Sequence, residues 1–148
     1  MKYKQARTFN IEAYKKYDKP AKDMFCEYLV SKGYEVFAEE TLSIDLIAKK
    51  DDKTLHIEVE TTKNHFTCKE DYPFKDTIKF LGRKEKYHKV NEFYYVIINL
   101  ETKCALYSTS DRIFKSEYAK EVYVKNKERS GLDRFFYVPI EECKFIKM

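Results

Sequence analysis

Two stretches of the chain alternate apolar and polar residues with the two-residue period of a half-buried strand: Ile44-Asp45-Leu46-Ile47-Ala48 and Leu55-His56-Ile57-Glu58-Val59-Glu60-Thr61. Asp51-Asp52-Lys53 lies between them and predicts a polar turn of hairpin length. In that hairpin Ile44, Leu46 and Ala48 face one way and Asp45 the other. On the second strand Leu55, Ile57, Val59 and Thr61 share a face, with His56, Glu58 and Glu60 opposite. Three carboxylates then project from the middle of strands otherwise made of core residues. Charges in that setting call for a bound cation or a solvated sheet face.

The remaining pattern supplies the neighbours. Asn10 is placed to cap a short helix through about Tyr17. Asp18 and Pro20 start a second helix, whose apolar positions Ala21, Phe25, Tyr28 and Leu29 form one stripe and which Gly33 ends. Tyr34 to Ala38 predicts a strand, and residues 63–72 a polar loop. Pro73 opens a predicted helix through about Lys89, with Phe74, Ile78 and Leu81 inward and Lys75, Lys79, Arg83 and Lys86 along a flank; Gly82 would kink or break it. Phe93 to Asn99 has no alternation, which suits a central strand covered on both faces.

Beyond it the pattern predicts a strand from Cys104 to Thr109 and a short helix from Ser110-Asp111 to about Ala119. A late strand pair follows, Glu121–Val124 and Arg134–Ile140, and Pro139 in the second argues for a sheet edge. The order is helix, three strands, helix, strand, strand and a mixed tail. That predicts a single domain over 1–148, of α/β or α+β class, with a central mixed β-sheet flanked by helices. Its core spans about 18–99 and its C-terminal elaboration 100–148.

Composition narrows the class. An apolar fraction of 43% with 24 Tyr and Phe residues in 148 is enough for a packed core. No run approaches the ~18–20 apolar residues of a membrane span, and no signal-peptide core follows the N-terminus, so the expectation is a soluble, cytoplasmic protein. The four cysteines are scattered without a C-x-x-C pair, which argues for reduced thiols rather than zinc or a disulfide framework. Net charge is only +4, but the basic excess is local. Residues 1–20 hold six Lys or Arg against two acids and residues 63–90 eight against four, on either side of the acidic strand pair.

An acid on one strand, two acids spaced by one residue on the next, and basic residues behind them resemble the PD-(D/E)XK nuclease superfamily, the restriction-endonuclease-like fold of core order α-β-β-β-α-β. Asp45 and, thirteen residues on, Glu58-Val59-Glu60 match its motif as D…ExE, with Glu60 where the family usually has Lys. The resemblance implies a metal-dependent nuclease, most simply an endonuclease, that hydrolyses DNA phosphodiesters with metal-activated water. Asp45, Glu58 and the Val59 carbonyl would hold Mg²⁺, for which Mn²⁺ substitutes, and Glu60 would serve as general base or help bind a second cation. It also implies an acid on the first helix, for which Glu27 is the candidate. His56 and Lys63 are possible accessory groups, and Lys79 or Arg83 is placed to take over the missing lysine's role.

Lys75, Lys79, Arg83 and Lys86 form the expected nucleic-acid surface, together with Lys2, Lys4, Arg7, Lys15, Lys16 and the aromatics Tyr3, Phe9, Tyr14 and Tyr17. The loop Lys125 to Arg129 is a candidate for entering a groove. A homodimer would match the two strands of a duplex or junction. No Gly-rich phosphate loop suggests a nucleotide cofactor. Two alternatives stand beside this reading: a catalytically inactive module of the same fold that binds DNA or a protein, and a nuclease directed at RNA.

Overall fold

A computed structural model of the protein describes residues 18–38, 45–125 and 130–148. The expected helix ending at Tyr17, the basic and aromatic residues of the first seventeen positions, Ile44, and residues 126–129 of the loop expected to enter a groove lie outside these.

Helix α1, Lys19–Ser31, forms where the apolar stripe predicts it and buries Ala21, Phe25 and Leu29. It stops at Gly33, whose φ of 93° is the left-handed conformation that glycine adopts without strain. Strands β1 (Glu35–Ala38), β2 (Leu46–Lys50) and β3 (Lys53–Thr61) form an antiparallel meander. The β2–β3 turn is closed by Asp51 at φ 53°, a conformation that Asp tolerates better than most residues. Strand β5 (Tyr94–Asn99) lies parallel to β3 and is flanked on its other side by β6 (Cys104–Thr109), so it is central and buried along its length. The full sheet has the order β1-β2-β3-β5-β6-β9, with β9 (Lys144–Lys147) at its far edge. This mixed α+β architecture, in which α1 packs on a three-strand meander with β5 parallel beside it, is the fold class that the pattern of residues predicts.

Each face of the sheet is covered. Leu46, Ala48, Ile57, Val96 and Ile98 pack under α1. Tyr95, Ile97, Cys104 and Leu106 face the other way into an aromatic-rich cluster with Phe66, Phe80, Phe93 and Phe136. Glu58 and Glu60 point into that second layer, because strand parity puts them opposite Ile57 and Val59.

What builds the second layer is the main correction to the sequence reading. No helix runs from Pro73 to Lys89. Thr77–Leu81 is strand β4, followed by a 3₁₀ turn, Gly82–Lys84, and the short helix α2, Glu85–His88. Ile78 and Phe80 are buried and Lys79 between them is exposed, the period of a strand rather than a helix. Phe74, expected to be inward, is 58% exposed. Strand β4 pairs with β8 (Ser130–Pro139), and β8 with β7 (Ala119–Lys125), in a separate antiparallel sheet. Pro139 therefore ends a central strand, where it pairs with Thr77, rather than marking a sheet edge. The helix expected from Ser110 to Ala119 shrinks to α3, Ser110–Ile113, and a 3₁₀ turn at Ser116–Tyr118.

Gly82 explains how the chain turns after β4. A Cβ there would sit 2.3 Å from the Arg134 carbonyl oxygen on β8, so only glycine allows the backbones to approach this closely. Gly82→Ala should lower stability by about 1–3 kcal/mol, as overpacking against immovable backbone does. Urea denaturation measures it, and an unchanged midpoint would show that β4 does not need this approach.

All four cysteines are free thiols. Burial pushes Cys143 up to about 12, so it is a packing residue rather than a nucleophile. Among the described residues no helix is long and apolar enough to cross a membrane.

Candidate active site

Asp45 immediately precedes β2 and continues its pairing: its amide donates to the Ile57 carbonyl at 3.2 Å. Its carboxylate bends over the β3 edge, where Oδ2 accepts the Val59 amide at 2.9 Å. The Val59 carbonyl leaves β3 on the same side as that amide, since a strand residue presents both groups to one edge. Glu58 lies beside Asp45 and is almost fully enclosed. The hairpin therefore brings Asp45, Glu58 and the Val59 backbone together, as the spacing predicts.

Two ammonium groups meet these carboxylates. Lys22, on the first turns of α1, places Nζ 2.9 Å from Asp45 Oδ1. Lys84, the last residue of the 3₁₀ turn, forms an ion pair and hydrogen bond with Glu58 Oε1. Side-chain exposure is 15% for Lys84 and 4% for Glu58, so this pair is buried. No local pattern singles out Lys84. It lies 26 positions from Glu58, and only the β4–β8 pairing with the tight turn at Gly82 brings it back across the sheet.

Glu60 lies one pleat further along β3 and has a different partner. The Tyr95 hydroxyl donates to Oε1 at 2.7 Å and, more weakly, to Oε2 at 3.3 Å, while accepting the Leu81 amide at 3.3 Å. Burial and the Glu60 charge raise the Tyr95 hydroxyl well above its usual range, so it stays a proton donor. Beyond Glu60 opens a cavity of about 410 Å³ between the two sheets, at the carboxyl end of the parallel pair β3 and β5.

On the side of α1 that carries charge toward Asp45 the titrating acid is Asp18, at the helix start. Burial and the Asp45 charge raise Asp18, while Lys22, Lys84 and Arg83 oppose them. Its side chain is exposed and makes no helix cap. Glu27 follows nine residues later, two and a half turns on, and is exposed on the opposite side of α1. Arg83 also acts on Glu60 and Asp18.

The other expected residues are dispersed. His56 is half-buried on β3 opposite Ile47, and Lys63 is exposed just past its end. Lys75 bonds the Glu70 carbonyl at 2.5 Å, Lys79 covers the Phe135 ring at 4.7 Å, and Lys86 covers Tyr87 at 5.3 Å. They do not line a helical flank, because the stretch that would align them is strand β4, a 3₁₀ turn and the four-residue helix α2. His65 pairs with Glu101, and His88 with Ser110.

The electrostatics follow from burial. Enclosure, reinforced by the Asp45 charge and opposed by Lys84, pushes Glu58 up to about 7. Burial likewise raises Glu60, against the Tyr95 bond. Glu58, Asp45 and Glu60 together hold the Lys84 proton more tightly than usual, outweighing the effect of its own burial. Between pH 4.5 and about 7 the folded chain keeps a proton on Glu58 that the unfolded chain has released, so stability should fall as pH rises through that window. At ~1.36 kcal/mol per pKa unit the Glu58 part is on the order of 3 kcal/mol. Glu60 and Asp18 add effects of the same sign. Lys84 acts only in the alkaline range: its contribution is complete below 10.5 and disappears as pH rises through its higher folded value. Urea midpoints measured in chelator should decline between about pH 5 and 7.5 for wild type and be flatter for Glu58→Gln. Parallel profiles would contradict the assignment.

Among the described residues no group of three or more His, Cys, Asp or Glu stands at metal-ligand spacing. Two adjacent carboxylates and a backbone carbonyl are, however, a donor set that suits Mg²⁺, which commonly takes one or two carboxylates and completes its shell with water and phosphate. The two lysines now provide the positive charge those carboxylates require.

No family model matches the sequence, and no curated protein matches it. Among solved structures the chain is similar to Hjc, a Holliday junction resolvase from the archaeal hyperthermophile Archaeoglobus fulgidus, at 9% sequence identity over 82% of each chain and a TM-score of 0.48.

Proposed function

We propose that the protein is a metal-dependent nuclease that hydrolyses DNA phosphodiester bonds at the Asp45–Glu58–Lys84 centre. The observation that carries the reading is the buried Lys84–Glu58 pair beside Asp45. It puts a lysine on the second acid of the strand hairpin although the sequence has Glu60 where the resembling superfamily has that lysine. A buried ion pair is a poor device for stability alone, since apolar residues of similar volume usually do as well or better.

Each residue has a defined task. Asp45, Glu58 and the Val59 carbonyl would hold Mg²⁺ or Mn²⁺, which when bound would polarise the phosphodiester and acidify a water. Lys84, kept protonated by three carboxylates, offers N–H donors and a fixed positive charge to a non-bridging phosphate oxygen as charge accumulates there. Lys22, 27% exposed at the rim, neutralises an adjoining phosphate. The β3 pleat fixes the Asp45–Glu58 geometry, and the Val59 amide orients the Asp45 carboxylate.

A module of the same fold without chemistry is the second reading, favoured by the fact that Lys22 and Lys84 already neutralise both acids. Calorimetric titration with Mg²⁺ and Mn²⁺ separates the two. The nuclease reading expects a binding isotherm that Asp45→Asn and Glu58→Gln abolish, whereas DNA binding with no metal isotherm supports the module. Homodimerisation would let two such centres address both strands of a duplex or junction.

A further inference from the structure

We infer that the cavity between the two sheets is a pocket for one unpaired nucleobase, which makes the preferred substrate DNA with an extruded nucleotide beside the scissile phosphate. The inference rests on the nuclease reading and adds the substrate's structural class.

The cavity adjoins the centre, because Glu60 lines it and stands one pleat from Glu58 on the same strand face. Its volume, about 410 Å³, lies within the range of small-ligand pockets, ~300–1,000 Å³. Tyr72, Phe74 and Tyr137 line it and supply ring surface. Phe74 is 58% exposed and lies 6.2 Å from Tyr72 with the two rings inclined at 63°, so most of its ring is open to a stacking partner rather than committed to the core. Lys79, also exposed on the lining, puts a cation where the phosphate next to an inserted base would run.

Glu60 gives the pocket a chemical preference. Tyr95 fixes its carboxylate from one side, and a carboxylate has about four lone-pair sites, so acceptors remain for a ligand. A carboxylate matches the N4 amino group of cytosine and has no donor for the O4 of thymine. Extruding a base from a duplex requires unstacking, which is least unfavourable where the nucleotide is already unpaired. The occupant is thus an unpaired nucleotide with an exocyclic amine, cytosine before thymine.

The test uses full-length Asp45→Asn protein, so that bound DNA stays intact, and fluorescein-labelled duplexes that are uninterrupted or carry a single unpaired dC or dT. Stacking of one base is expected to tighten binding of the unpaired-dC duplex by about 5- to 150-fold over the uninterrupted one. Adding Phe74→Ala should erase that difference and leave uninterrupted-duplex affinity unchanged; the latter also shows that the variant is folded. Adding Glu60→Gln should remove the preference for dC over dT, since an amide both donates and accepts. Equal affinity for unpaired and uninterrupted duplexes, or an equal loss on both with Phe74→Ala, overturns the pocket while leaving the nuclease reading intact. Wild-type protein that neither binds nor cuts any of the three overturns both.

Discussion

Replacing Lys84 by methionine should abolish DNA cleavage and lower the stability of the fold by about 3–5 kcal/mol, the usual penalty for breaking a buried ion pair from one side. Methionine nearly matches the length of the lysine stem, so the change isolates the charge rather than opening a cavity. What remains is Glu58, 4% exposed and without its cation. Its response to pH gives the prediction a second handle. Without Lys84 the carboxyl should move above the value of about 7 that it has beside the lysine, so the destabilisation should shrink at about pH 5, where the group is protonated anyway, and grow toward pH 8. The double variant Glu58→Gln with Lys84→Met should recover most of the stability, because both charges are gone, and recover none of the activity. Urea denaturation and a cleavage assay on the same samples decide it. Equal stability of Lys84→Met and wild type would mean that the pair is not buried in solution.

Asp45→Asn should lower cleavage by at least about 10³-fold, the scale of losing a charge aimed at a reacting group. Stability should change far less, by about 1 kcal/mol. The Asn Oδ1 can still accept the Val59 amide, and the Lys22 partner is 27% exposed, so water replaces the lost ion pair. The contrast with Lys84→Met is the informative part: one substitution removes activity and spares the fold, the other removes both. A cleavage rate for Asp45→Asn within tenfold of wild type would place the chemistry elsewhere.

The parts of this architecture that local periodicity specifies were legible in the sequence. The β2–β3 hairpin, the buried β5 and helix α1 carry clean two-residue alternation, an unbroken apolar run and a single helical stripe, and each forms within a few residues of its expected bounds. The hairpin places the two candidate residues Asp45 and Glu58 side by side, because strand parity orients them. Residues 73–89 failed for an instructive reason. Phe74, Ile78 and Leu81 satisfy a helical stripe, and the lysines at four-residue spacing reinforce it. Pairing with β8 nevertheless makes Ile78 and Phe80 the inward pair and releases Phe74 to solvent. That partner lies more than fifty residues away, out of reach of any local pattern.

The same non-local step hid Lys84. The pattern points to Lys79 and Arg83 as cations from this region, whereas the turn at Gly82 brings the next residue, Lys84, to Glu58. Glu27 satisfies the expectation of an acid on the first helix but is exposed on the face away from Asp45. Asp18 lies one helical turn before Lys22, which contacts Asp45, and its carboxyl is raised by the Asp45 charge in addition to burial. Helical phase relative to Lys22 would have distinguished them, but only once the Lys22–Asp45 contact was known.

The most direct measurement is cleavage of duplex, single-stranded and branched DNA by the full-length protein with Mg²⁺ or Mn²⁺, beside Asp45→Asn, Glu58→Gln and Lys84→Met. The account predicts metal-dependent cutting by wild type, strongest on DNA with an unpaired nucleotide, and none by the three variants. Wild type and Asp45→Asn that cut alike, or a wild type that cuts no DNA with either metal, would contradict it.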